Sequence, residues 1–159
     1  MDLRGRLRTG SDRGETLVEV LAAVVILGIA GVAIVAGLML SVQASDIHRK
    51  ESTGGAYVRS YAEAIEKYLN TTAHYVKCAG SGDYSLSDIG FAAPTGYTAS
   101  HTAATVLAGD GSAVTTGSCP SRDTGVQRLT LTVASNDGRA SERLTIVVRR
   151  DCGTGTSCD

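Results

Sequence analysis

Two different periodicities divide the chain. From Val20 to Leu40 there is no charged residue over 21 positions, and at about 1.5 Å of rise each they span roughly 31 Å, the thickness of a bilayer hydrocarbon core. The segment is long and apolar enough to cross a membrane. Beyond Leu40 the helical signal continues in an amphipathic form: Tyr57, Tyr61, Ile65, Tyr68 and Leu69 recur at intervals of three, four and one, so they share one face. Ala62, Glu63, Glu66 and Lys67 fill the other positions. The pattern predicts a helix running from Thr16 to about Asn70. Gly54 and Gly55 are its expected bend, because each lowers helix propensity by about 1 kcal/mol against Ala.

After Asn70 the period becomes two. Leu129, Leu131 and Val133 alternate with Arg128, Thr130 and Thr132, and Leu144, Ile146 and Val148 alternate with Arg143, Thr145 and Val147. Asn136, Asp137 and Gly138 between them supply turn chemistry, which predicts an antiparallel hairpin over residues 127–150. Residues 82–86 and 97–117 read as two or three weaker strands, the latter split at Gly109, Asp110 and Gly111. A small sheet of this kind has one apolar face, and the Tyr and Ile stripe is its natural partner. The expected class is therefore α+β: a long N-terminal helix, apolar in its first half and amphipathic in its second, packed on a small antiparallel sheet.

Charge adds a direction. The formal net charge is −1, yet residues 1–14 carry Arg4, Arg6, Arg8 and Arg13 against Asp2 and Asp12, leaving 11 basic and 14 acidic residues beyond them. A basic head before an apolar span predicts a cytoplasmic N-terminus; His48, Arg49 and Lys50 on the far side reduce the asymmetry. That topology places Cys78, Cys119, Cys152 and Cys158 in an oxidising compartment, where an even count in a small domain implies disulfides. Of three possible pairings we favour Cys78 with Cys119 and Cys152 with Cys158, the second closing the short CGTGTSC loop. No cysteine pair has the two-to-four-residue spacing of a zinc site, and the histidines His48, His74 and His101 are scattered, so neither a metal nor a cofactor is expected. No nucleophile, base and acid fall into a catalytic pattern, and there is no phosphate-binding loop. The chain does not read as an enzyme.

The stretch GETLVEV, residues 14–20, sits at the lip of the apolar run. A capping box, with Thr16 as N-cap and Glu19 three residues on, explains Glu19 without any function. A secretory signal cut after Val42, Gln43 and Ala44 is a second reading, although the apolar run exceeds the usual length of such a signal. The third is a resemblance. A short basic leader ending in Gly14, then Thr-Leu-Val-Glu-Val and an apolar helix, resembles the N-terminus of prepilins, the precursors of type IV pilins and of the pseudopilins of type II secretion and DNA-uptake machines. The likeness is close over residues 13–40 and architectural beyond.

The resemblance implies a pilin-like fold and four regions: a leader (1–14), a membrane and assembly helix (15–40), its amphipathic continuation (41–72), and an extracytoplasmic sheet domain with disulfides (73–159). It implies cleavage between Gly14 and Glu15 by a membrane prepilin peptidase, methylation of the new amine, and pairing of Glu19 with a neighbour's amine. The implied partners are other pilin or pseudopilin subunits, an inner-membrane assembly platform and the lipid bilayer. Gly28 stands where many members have a helix-loosening glycine, accompanied here by Gly31 and Gly37. The position after the cut, usually Phe, is Glu15, a departure that bears on methylation and suits a minor subunit. Two alternatives stand beside this reading: a DNA-uptake pilin that binds DNA through the basic hairpin face, Arg128, Arg143 and Arg149, a face that is more often simply solvated, and a membrane-anchored domain that does not polymerise.

Overall fold

The computed structural model describes residues 12–71 and 74–151, with side chains from Thr16 onward. One helix, α1 (Asp12–Leu69), precedes four strands: β1 (Tyr97–His101), β2 (Thr105–Val106), β3 (Val126–Ser135) and β4 (Ser141–Arg149). This is the expected α+β, pilin-like arrangement. The chain divides into two compact units at Ser45 and Asp46. The second pairing, Cys152 with Cys158, lies outside the described residues.

In the second unit the tyrosine stripe buries as expected: Tyr61, Ile65 and Leu69 are buried, with Tyr57 and Tyr68 packed at the margin. Burial pushes the Tyr61 phenol up to about 12, as loss of water disfavours its anion. Val58 and Ala62 belong to the same face, both buried. Ala62, an outer position in the sequence pattern, joins the buried face instead; its small side chain allows close approach where a longer one would hold the sheet away. Glu63 and Lys67 stay exposed.

α1 passes unbroken through Gly54 and Gly55, and their roles differ. Gly54 is buried; a β-carbon there would stand 3.1 Å from Glu142 Cγ and 3.8 Å from the Val133 carbonyl oxygen. Gly55 faces open space. Gly54 is thus the point where helix and sheet touch backbone to strand, and not a hinge.

β3 is the centre of the sheet. β4 lies along one side, while β1 and β2 share the other, all antiparallel. Leu129, Leu131 and Val133 are buried beneath the helix, and across the ladder Leu129 meets Ile146 and Leu131 meets Leu144, so the alternation read from sequence is the alternation of faces. Asn136 and Asp137 form the turn with Gly138 at φ 70°, where a β-carbon is disfavoured. Residues 82–86 are not a strand. Asp83 N–H donates to Gly80 O at 3.3 Å, Tyr84 has φ 53°, and Ser85 begins a turn whose hydroxyl donates to Asp88; side chains that bond their own backbone outcompete a weak period-two signal. Within 97–117 the strands stop at His101 and Val106, and a single bridge, Leu107 to Ala113, spans the Gly109–Gly111 turn.

A buried carboxylate joins these pieces. Asp123, 1% exposed, accepts from Cys78 N–H at 2.7 Å, Gly125 N–H at 2.8 Å, the Tyr75 hydroxyl at 2.9 Å and the Gln127 amide. Gln127, fully buried on the core face of β3, also donates to Val76 O at 2.8 Å. Burial alone would raise the Asp123 pKa; the donors, Cys78 N–H first, outweigh it and hold the carboxyl below its ordinary range. Burial, and then the hydrogen bond to the same carboxylate, push the Tyr75 phenol far up. Beside it the Cys78–Cys119 disulfide closes a sequence separation of 41, the first favoured pairing, and the Cys119–Pro120 peptide is cis.

Two outcomes follow for stability of the full-length protein in detergent. Asp123→Asn lowers it by about 2–4 kcal/mol in a denaturant titration, since several buried donors face a weaker acceptor. A depressed folded pKa means that the wild-type contribution is full above the unfolded value of 3.8 and fades as pH falls through the folded one; the variant loses that part of the acid sensitivity. Gly54→Leu destabilises by about 1–3 kcal/mol through overpacking, whereas Gly55→Ala gains about 0.5–1 kcal/mol in helix propensity; equal effects at the two positions would contradict the contact at Gly54.

Candidate functional site

The first unit exposes what a water-soluble protein hides. Leu17, Val20, Leu21, Val24, Ile29, Ile34 and Met39 are each more than 60% exposed, and no part of the apolar window is buried. A continuous coat of this size needs lipid or other helices around it. Gly28, Gly31 and Gly37 have nothing within 4 Å of an added β-carbon, and the helix is unbroken at all three. No loosening occurs at Gly28; the three leave notches on the coat where another helix could approach.

Glu19 is the one acid within the described part of this coat, exposed and with no partner among the described residues. The capping-box expectation fails: α1 begins at Asp12, four residues before Thr16, so Thr16 lies in the body of the helix and Glu19 has no free helix end to cap. Gly14 and Glu15 fall within the first turns of α1.

At the start of the second unit the basic cluster seen in the sequence is locally neutralised. Lys50 Nζ lies 2.8 Å from Asp46 and 2.5 Å from Asp137, and Arg49 reaches Asp46 at 3.4 Å. Arg139 adds longer contacts to Asp46 and Asp137, at 3.6 and 3.7 Å. The hydrogen bond from Lys50, then those from the Ser135 hydroxyl and Arg139 N–H, hold the Asp137 carboxyl well below the usual range. The sequence marks Asp137 only as a turn residue. Asp137 also ties the hairpin to α1, which is long-range in sequence and without a local signal.

Arg128, Arg143 and Arg149 are exposed on the outer face of the hairpin, as expected. Arg128 stands across from Val147, Arg143 from Thr132 and Arg149 from Val126, so the trio is spread along the strands and separated by hydroxyl and aliphatic side chains. The histidines do not meet: His48 pairs with Glu51 at 3.3 Å, His74 stacks on Tyr68, and His101 bridges Asp83 O and Thr102 O. Among the described residues no three metal-ligating side chains converge.

Residues 10–35 match the family model of the prokaryotic N-terminal methylation motif, the type IV prepilin-like signature. It spans Gly14, Glu15, Glu19 and the start of the apolar coat. No curated protein and no solved structure matches the chain. The motif supports a type IV pilin-like protein and implies processing by prepilin peptidase and assembly with other pilins. Such proteins are generally structural, and the long apolar helix fits a single-pass membrane anchor.

Proposed function

We propose that the chain is a minor pilin or pseudopilin. It is cut between Gly14 and Glu15, held by one span with its N-terminus in the cytoplasm, and assembled through the apolar half of α1 into a pilus-like or secretion-like filament. The observation that carries this reading is the uncovered apolar coat with a lone carboxylate, Glu19, at its edge. In a core of packed helices an unpaired carboxylate costs several kcal/mol. Cleavage would create an amine at Glu15, four residues earlier, and a neighbouring subunit would offer the same pair with an offset. Charge pairing then sets subunit register, and an uncut leader with Arg13 could not enter the core. Glu15 adds a second acid at the filament end, which favours a subunit present in few copies.

Sequencing the mature N-terminus is expected to give Glu15; Ser45 as the first residue would instead establish a secretory signal and overturn the assignment. Glu19→Ala is expected to leave the protein in the membrane while crosslinking to other pilin subunits falls about tenfold, the effect of removing one close charge pair. Unchanged crosslinking would make the chain an anchored domain that does not polymerise through this site.

A further inference from the structure

β4 is an edge strand whose free side can be phased. Ser135 N–H donates to Ala140 O at 2.9 Å and Arg150 N–H to Gly125 O at 2.8 Å. In an antiparallel ladder such pairs recur at every second residue, so Glu142, Leu144, Ile146 and Val148 turn their backbone N–H and C=O toward β3. Ser141, Arg143, Thr145, Val147 and Arg149 turn theirs away. All five are exposed, and their backbone groups meet no partner among the described residues.

Edges are commonly blunted by charged side chains, proline, a bulge or an inward-pointing charge; here the outer-face charges are Arg143 and Arg149, which discourage a basic strand and a second copy of this edge but not an acidic segment. β4 has no proline or lysine, and its register with β3 is continuous from Val126–Arg149 to Ala134–Ser141. Its inward charge, Glu142, sits beside Gly54 near one end. Among the described residues, nothing pairs with the outward side of the stretch from Arg143 to Arg149. Both arginines lie on the outer face and share one sign, so they repel a basic strand and attract an acidic one. On the other face Leu144 and Ile146 are half-buried against the core, leaving apolar edge for a neighbour to cover. Beside the end of the strand, a cleft of about 320 Å³ lined by Glu66, Leu69, Asn70, Val147, Val148, Arg149 and Asp151 has room for one side chain, and its two acids suit an uncharged one.

We propose that the β4 edge docks an extended segment of a partner protein as an added strand. Its outer-face positions carry acids beside Arg143 and Arg149, and its inner-face positions carry apolar side chains beside Leu144 and Ile146. Main-chain bonds to Arg143, Thr145, Val147 and Arg149 supply affinity, and the alternation of side chains supplies selection. Duplex DNA could use the arginines but has no use for a row of strand N–H groups. The inference does not depend on filament assembly, since it concerns the sheet alone.

The test uses the full-length protein in detergent micelles and a fluorescein-labelled nine-residue peptide alternating Glu and Val, read by anisotropy. Saturable binding is expected, weakened about tenfold when Lys replaces Glu in the peptide. Thr145→Pro removes an outward N–H and no ladder bond; it should weaken binding about tenfold while Thr145→Val does not. If Thr145→Pro melts early, the peptide decides. N-methylation of one alternate set of its residues should abolish binding and that of the other set should leave it unchanged. No binding, equal effects of the two methylated sets, or equal affinity for the Lys peptide would overturn the proposal. So would displacement of the peptide by duplex DNA at equal charge concentration, which would make the arginine face a general polyanion surface.

Discussion

One helix carries two apolar surfaces, and the described chain covers only one of them. Past Asp46 the stripe of Val58, Tyr61, Ile65 and Leu69 is sealed by Leu129, Leu131 and Val133. Before Ser45 the side chains from Leu17 to Val42 are exposed. Burying apolar area is the dominant favourable term in folding and association alike, so the first surface specifies a fold and the second specifies an environment. That division of labour explains why α1 needs no change of secondary structure between them: the backbone is satisfied throughout, and only the surroundings differ.

The second unit is small, and two polar ties in it join segments distant in sequence through charged groups. Asp123 gathers the segment around Cys78, the strand residue Gln127 and the Tyr75 hydroxyl around one buried charge. Lys50 and Asp137 tie the hairpin turn to the helix. Between them the aromatic rings of Tyr61 and Phe91, with centroids 5.0 Å apart, carry the loop after α1 onto the core. A unit whose core rests on one helix face and one sheet face benefits from such ties, because each restrains a long loop that local propensity would leave free.

The parts legible in the sequence were those governed by period. The apolar run, the tyrosine stripe and the 129–148 alternation each repeat over several turns or residues, and each reports directly on a face. Glu19 and Gly14 stood out because an acid and a glycine interrupt or border such a run. What stayed hidden depends on contacts distant in sequence. Nothing in SRDTG marks Asp123 as the acceptor of four donors, and nothing in the turn marks Asp137 as the mate of Lys50. Gln127 did carry a signal: strict alternation places it on the same face as Leu129, and a polar residue there requires a buried partner. Residues 82–86 misled because buried Tyr84 and half-buried Leu86 imitate a strand that side-chain bonds from Ser85 and Asp83 convert into turns.

The Cys78–Cys119 bridge has a mechanical meaning as well. It encloses β1 and β2 in a loop with a sequence separation of 41, so stretching the chain from its two ends cannot draw that loop out. At about 3.5 Å per extended residue, roughly 140 Å of contour length is withheld. The α1 residues of the second unit and the hairpin β3–β4 lie outside the covalent loop and remain the parts that a pull on the chain can unravel. Under load the second unit would therefore lengthen through α1 and the hairpin, while the extra contour between Cys78 and Cys119, with β1 and β2 in it, stays withheld.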